Sequence, residues 1–214
     1  MNFEKYIDHT LLKPKASTAD IRELCAQAKE RNFKAVCIPP RFVATAKEAL
    51  QGTEVSVCTV IGFPLGYHTT AVKVFETEEA IQAGADEVDM VIPIGAVKEK
   101  DRDYVLEDIR AVREASRGKV LKVILETCLL TNEEIEEVCA LCTRAGADFV
   151  KTSTGFSTGG ATAEHVRLMK EAVGNRAEVK ASGGIRDRET ARAMIENGAT
   201  RLGTSSGMAL TEKD

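Results

Sequence analysis

The sequence predicts a (β/α)8 TIM barrel, folded as a single domain over residues 1–214. Three observations lead there. Eight short apolar runs alternate with amphipathic stretches of helical period. The starts of those runs recur about every 28 residues, the length of one βα unit. The chain also has the length of a compact barrel, with an apolar content of 43% that fills a sizeable core.

The strand-like runs are 8–12, 35–39, 55–61, 87–92, 120–126, 148–153, 178–182 and 201–205, most of them rich in Val and Ile. Ser17 with Asp20, and Thr131 with Glu134, have the spacing of capping boxes and start two of the intervening helices. Ala83-Gly84-Ala85-Asp86, Ala145-Gly146-Ala147-Asp148 and Asn197-Gly198-Ala199-Thr200 each lead into a strand. Glycine takes the left-handed conformation that ends a helix, and a small residue lets the chain turn into the sheet. Only Ser206–Asp214 follow the last run, so the eighth helix is short. A doubly wound open sheet is the alternative, but neither G-x-G-x-x-G nor G-x-x-x-x-G-K-[ST] occurs.

Bulk properties narrow the function. A net charge of -4 with scattered signs argues against a nucleic-acid partner. No apolar run approaches the ~18 residues of a membrane span, and Met1–Tyr6 lacks signal-peptide character, so a cytoplasmic protein is expected. Six cysteines occur, and a cytosolic chain keeps them as thiols. Cys139 and Cys142 form a C-x-x-C, yet Ile135, Val138, Cys139 and Cys142 stand at the spacing of a buried helix stripe, as do Ile21, Leu24, Cys25 and Ala28. Core packing is the expected role.

Strand alternation then sorts the charges. Val88, Met90 and Ile92 suit a helix-facing side, which turns Asp89 inward. The same alternation turns Lys151 inward beside Val150, and Lys180 inward between Val179 and Ala181. A lone Lys–Asp pair is the simpler explanation, but it leaves the second lysine without a role. Two unit charges ~4 Å apart at an effective dielectric of ~20 repel by roughly 4 kcal/mol. That is enough to bring a lysine from ~10.4 to about 7, where the neutral amine attacks carbonyls. A charged Lys180 held by Asp89 and a nucleophilic Lys151 is the sensible division, although the residues alone leave the two lysine roles interchangeable. Asp8 and Thr10 share a face of the first run, and contact either a substrate hydroxyl or a lysine. Lys122 and Glu126 share another inner face, as an interior support network.

Phosphate sites in barrels lie in the loops after strands seven and eight. Those loops here carry Gly183, Gly184 and Arg186, then Gly203, Ser205 and Ser206, while the sixth run ends in Thr154-Gly155. Paired glycines allow close backbone approach to an anion, and small hydroxyl residues suit a helix N-terminus. Arg186 either adds charge there or makes a surface salt bridge. A metal-dependent aldolase or isomerase is one competing reading. The three histidines, His9, His68 and His165, are far apart and lack metal-site spacing. A non-enzymatic phosphosugar-binding protein is another, and a Schiff-base phosphosugar aldolase with a different donor is a third.

The chain resembles the class I deoxyribose-phosphate aldolases nearly end to end. The likeness runs through Asp8–Leu12, Val36–Pro39, Glu87–Asp89, Lys122–Thr127, Val150–Gly155 and Lys180–Arg186. It implies that Lys151 forms the Schiff base, that Lys180 and Asp89 handle protons, and that Gly155, Gly183, Gly184, Gly203, Ser205 and Ser206 face phosphate. It further implies small phosphosugar and aldehyde substrates and no cofactor. A homo-oligomer is possible. Two positions depart from some members: Phe156 stands where they carry a lysine after the motif glycine, and the tail Thr211–Asp214 has no tyrosine.

Overall fold

The computed structural model describes residues 2–212, which leaves Lys213 and Asp214 of the tail outside the described residues. Eight parallel strands close into a barrel in sequence order. They are β1 (Ile7–Thr10), β2 (Ala35–Ile38), β3 (Ser56–Ile61), β4 (Glu87–Val91), β5 (Val120–Ile124), β6 (Phe149–Lys151), β7 (Glu178–Ser182) and β8 (Arg201–Thr204). The helices between and after them are α1 (Thr18–Arg31), α2 (Val43–Ala49), α3 (Thr70–Gln82), α4 (Ile94–Lys98), α5 (Arg102–Ala115), α6 (Asn132–Ala145), α7 (Ala163–Val173), α8 (Arg188–Glu196) and the short α9 (Gly207–Thr211). None is long and apolar enough to cross a membrane.

Local chemistry sets these elements as the sequence predicts. Both capping boxes form: the Ser17 N–H donates to the Asp20 carboxylate at 2.8 Å, and the Thr131 N–H to that of Glu134 at 2.8 Å. Gly146 closes α6 at φ 80°, where a β-carbon would be strained. The aspartates of these joints have a job of their own. Asp86 accepts the Val57 N–H at 3.1 Å and Asp148 the Leu121 N–H at 2.8 Å, so each fixes the start of the neighbouring strand.

The main core lies between barrel and helices. Val88, Met90, Val123, Val150, Val179 and Ala181 meet the buried faces of the helices there, including Ile21, Leu24, Cys25, Ala28, Ile135, Val138, Cys139 and Cys142. The C-x-x-C thiols are thus core groups, and burial pushes Cys139, with Glu136 near it, up to about 12. Inside the barrel the apolar filling is small, made of Ala35, Cys37, Cys58 and Val60 on the β2–β3 side. The opposite half of the interior is charged.

Several strands are shorter than their apolar runs. The first ends at Thr10 rather than residue 12, the fifth at Ile124 rather than 126, and the sixth at Lys151 rather than 153. In each case the first trailing residue, Leu11, Leu125 or Thr152, still donates its N–H to a carbonyl of the neighbouring strand. Glu126 then turns the chain in the left-handed region, at φ 56°. Two helices rather than one follow β4, because Lys100 turns at φ 61° and Asp101 caps α5 by accepting the Tyr104 N–H.

Candidate active site

Three predicted inward residues meet in the barrel. The register pairs Asp89 with Lys122 and Lys151 with Lys180. Asp89 is fully buried and shared by three amines. Lys151 and Lys180 donate to Oδ2 at 2.7 and 2.8 Å, and Lys122 to Oδ1 at 2.8 Å. The contact expected from sequence between Asp89 and a charged Lys180 is present, and Asp89 holds Lys151 and Lys122 as well. One carboxylate has two oxygens, and the barrel brings three strands' lysines to them.

Of the remaining partners, sequence reasoning offers Asp8 as a lysine contact but does not offer Glu87 or Arg201. Lys180 also donates to Asp8. Arg201 bridges Asp8 at 2.7 Å and Glu87 at 2.9 Å, while Glu87 pairs with Lys122 at 2.5 Å. Four cations thus face three carboxylates in an almost fully buried space, where an uncompensated charge is expensive. Burial opposes the charge on Asp89, but Lys122, Lys151 and Lys180 outweigh it and hold the carboxyl well below the usual range. Burial likewise opposes Lys180, yet Asp8 and then Asp89 raise it above an ordinary lysine, so its ammonium persists at neutral pH. Glu87 and Arg201 were legible by the alternation that located Asp89, since they share inner faces with Asp89 and Gly203.

Cys37, Cys58 and Asp89 offer ligand atoms within 4.8 Å of one another, as do Asp8, Cys58 and Glu87. Their chemistry does not suit a metal. The Lys122 ammonium already sits 2.8 Å from Asp89 and 3.3 Å from the Cys58 sulfur. Burial, the Cys37 hydrogen bond and Asp89 also push the Cys58 thiol well up, away from the thiolate a metal requires.

Above this cluster a cavity of about 450 Å³ opens at the C-terminal ends of the strands. Lys151 lies on its wall with 3% exposure, whereas Lys180 is fully buried behind it. Thr10, Gly155, Gly183, Gly184, Arg186, Gly203 and Ser205 also line it. Two of the predicted substrate contacts do not. Asp8 is fully buried with both oxygens on Lys180 and Arg201, which makes it a counter-ion rather than a substrate contact. Ser206 is off the wall, its N–H donating to Thr204 Oγ1 at 2.9 Å to start α9. The wall also includes Lys13 and Thr154, which sequence reasoning missed as site residues.

The loops are built to hold this shape. Gly183 and Gly184 take φ 85° and 81°. A β-carbon on Gly203 would stand 3.1 Å from Lys180 Cε, so that glycine makes room for the lysine. Glu126 does not join Lys122 in an interior network as expected. It accepts the Thr154 N–H at 3.2 Å and the Thr154 hydroxyl, clamping the loop after β6. Phe156 in that loop packs edge-on against Phe63, with ring centroids 5.3 Å apart. A larger groove of about 640 Å³ lies at the opposite end of the barrel, but its Lys47 and Asp86 are paired with each other at 2.8 Å and it contains no predicted site residue.

Barrel enzymes keep their chemistry at this end of the strands, and a lysine amine there, over a buried carboxylate, belongs to the lysine-dependent lyase class. Comparison with known proteins agrees. The family model described as DeoC/LacD family aldolase matches residues 4–213, and the chain belongs to that family. A deoxyribose-phosphate aldolase of Finegoldia magna is 58% identical over 212 residues, covering 99% of this chain and 100% of that one. Another, from Clostridium perfringens, is 60% identical over 209 residues, covering 97% and 93%. A tetrameric deoxyribose-phosphate aldolase from Aeropyrum pernix superposes with a TM-score of 0.90 at 34% identity, covering 96% of this chain and 88% of that one.

Proposed function

We propose that the chain cleaves 2-deoxy-D-ribose 5-phosphate reversibly to acetaldehyde and D-glyceraldehyde 3-phosphate, through a Schiff base on Lys151. One observation supports the lysine assignment above others. Of the three amines on Asp89, Lys151 alone lines the cavity. The identity to curated aldolases supports the substrate.

In the cleavage direction the Lys151 amine attacks C1 of the open-chain sugar. Loss of water from the carbinolamine gives an iminium, which draws electrons from the C2–C3 bond. The C3 hydroxyl gives up its proton, the bond breaks, and C3 becomes the aldehyde of glyceraldehyde 3-phosphate. The enamine left on C1 and C2 takes a proton at C2, and water releases acetaldehyde and restores the amine. Asp89 and Lys180 are the groups suited to these proton steps, acting with water, because both adjoin Lys151 through Asp89 Oδ2. The phosphate is assigned to Gly183, Gly184, Gly203 and Ser205, with Gly155 and Arg186 beside them.

Six thiols without a disulfide fit a reducing cytoplasm. Leu65, Tyr67, Val72 and Phe75, exposed along the β3–α3 loop and α3, are apolar surface consistent with self-association. Borohydride reduction with acetaldehyde, followed by peptide mass mapping, tests the mechanism. A two-carbon adduct on Lys151, absent from Lys151→Ala, is expected. An adduct on Lys180 reverses the lysine roles, and no adduct on either rules out the covalent route.

A further inference from the structure

The phosphate end of the cavity needs positive charge, and the wall supplies it from an unexpected side. Among the described residues no carboxylate lines this cavity, and its cations are Lys151, Arg186 and Lys13. Lys151 is bound to Asp89. Lys13 and Arg186 are exposed, and among the described residues neither makes an ion pair. β8 pairs with β7 on one edge and β1 on the other, so the loops carrying Arg186 and Lys13 flank Gly203–Ser205. The loop after β6, beyond β7, offers the apolar ring of Phe156 instead.

Lys13 is also well placed to act. The Ala16 N–H donates to the Lys13 carbonyl at 3.0 Å, closing a four-residue turn with Pro14 at its second position. Proline presets its own φ and restricts the residue before it. The turn runs directly into the capping box at Ser17. The Lys13 backbone is therefore fixed, and binding an anion costs only side-chain freedom.

We propose that Lys13 is a specificity-determining residue of this enzyme, its ammonium meeting the substrate phosphate from the β1 side while Arg186 meets it from the β7 side. The inference rests on the aldolase reading above and deepens it. An ammonium acts here as a point charge on a phosphate held by backbone amides.

The test is steady-state cleavage of 2-deoxy-D-ribose 5-phosphate and of unphosphorylated 2-deoxy-D-ribose by the wild type, Lys13→Met, Lys13→Arg and Lys15→Met. The readout is the ratio of kcat/KM for the two sugars. In Lys13→Met that ratio falls roughly tenfold, the scale of one charge-assisted hydrogen bond, mostly through a higher KM for the phosphorylated sugar. Lys13→Arg keeps most of it. Lys15→Met, exposed in the same turn but off the cavity wall, leaves it unchanged. Competitive inhibition by inorganic phosphate weakens in the same proportion. An unchanged ratio in Lys13→Met, an equal fall for both sugars, or the same fall in Lys15→Met overturns the assignment. Wild-type protein that cleaves neither sugar would bring down the aldolase reading first. Wild-type cleavage with an indifferent Lys13→Met removes Lys13 alone.

Discussion

Replacing Asp89 by Asn keeps the side chain's size and removes the charge that three lysines share. The consequences are unequal. Lys122 retains Glu87 at 2.5 Å, and Lys180 retains Asp8. Lys151 loses its only carboxylate contact among the described residues. The buried cluster passes from four cations and three carboxylates to four and two. Removing one partner of a buried ion pair costs about 3–5 kcal/mol. For a chain of this size each kcal/mol lowers Tm by roughly 2–4 °C, so a drop of about 6–20 °C is expected. Loss of a proton-transfer group should lower kcat a further 10²–10⁴-fold, on the order of general acid–base contributions. Thermal unfolding followed by circular dichroism, and sugar cleavage assayed well below the variant's Tm, separate the two effects. The sign with pH is also fixed. The folded carboxyl lies below its unfolded value of ~3.9. Its stabilisation is therefore complete above that value and lost as pH falls below it. The gap between wild type and Asp89→Asn should stay constant from pH 7 to 5 and close only below ~3.9. A Tm shift under about 2 °C with kcat within a few-fold of wild type would refute the shared-carboxylate account.

Lys73 is fully buried and donates to Asp108 at 2.7 Å and to the Val91 carbonyl at 3.0 Å. Lys73→Met should cost about 3–5 kcal/mol by stranding Asp108, and Lys73→Met with Asp108→Leu should recover much of it in denaturant unfolding. A β-carbon on Gly160 would lie 2.4 Å from the Gly183 carbonyl oxygen. Gly160→Ala should therefore push the Gly183–Gly184 loop and raise KM for the phosphorylated sugar several-fold more than for the unphosphorylated one. Gly203→Ala would place its methyl 2.9 Å from Ser182 Cβ and 3.1 Å from Lys180 Cε. Overpacking of that kind costs about 1–3 kcal/mol, and by displacing the lysine it should lower kcat more than it raises KM.

Much of this molecule was written locally. Capping boxes, glycine joints and Val/Ile runs act over a few residues, so the eight βα units and the inward turn of Asp89, Lys151 and Lys180 follow from period and propensity alone. The resemblance of the Lys151 and Lys180 segments to known aldolases added the chemistry. What the sequence could not supply was company. Alternation says which face a side chain takes, but closure of the barrel decides which neighbours it meets there. Asp8 reaches Lys180 across 172 residues and Arg201 across 193, and only the β1–β8 seam brings them together. The same closure put three lysines on one carboxylate, withdrew Asp8 from the pocket, and set Lys13 beside the phosphate loops. Those pairings depend on register and on how the charges of eight strands divide the oxygens available, a global balance that no short stretch of sequence encodes.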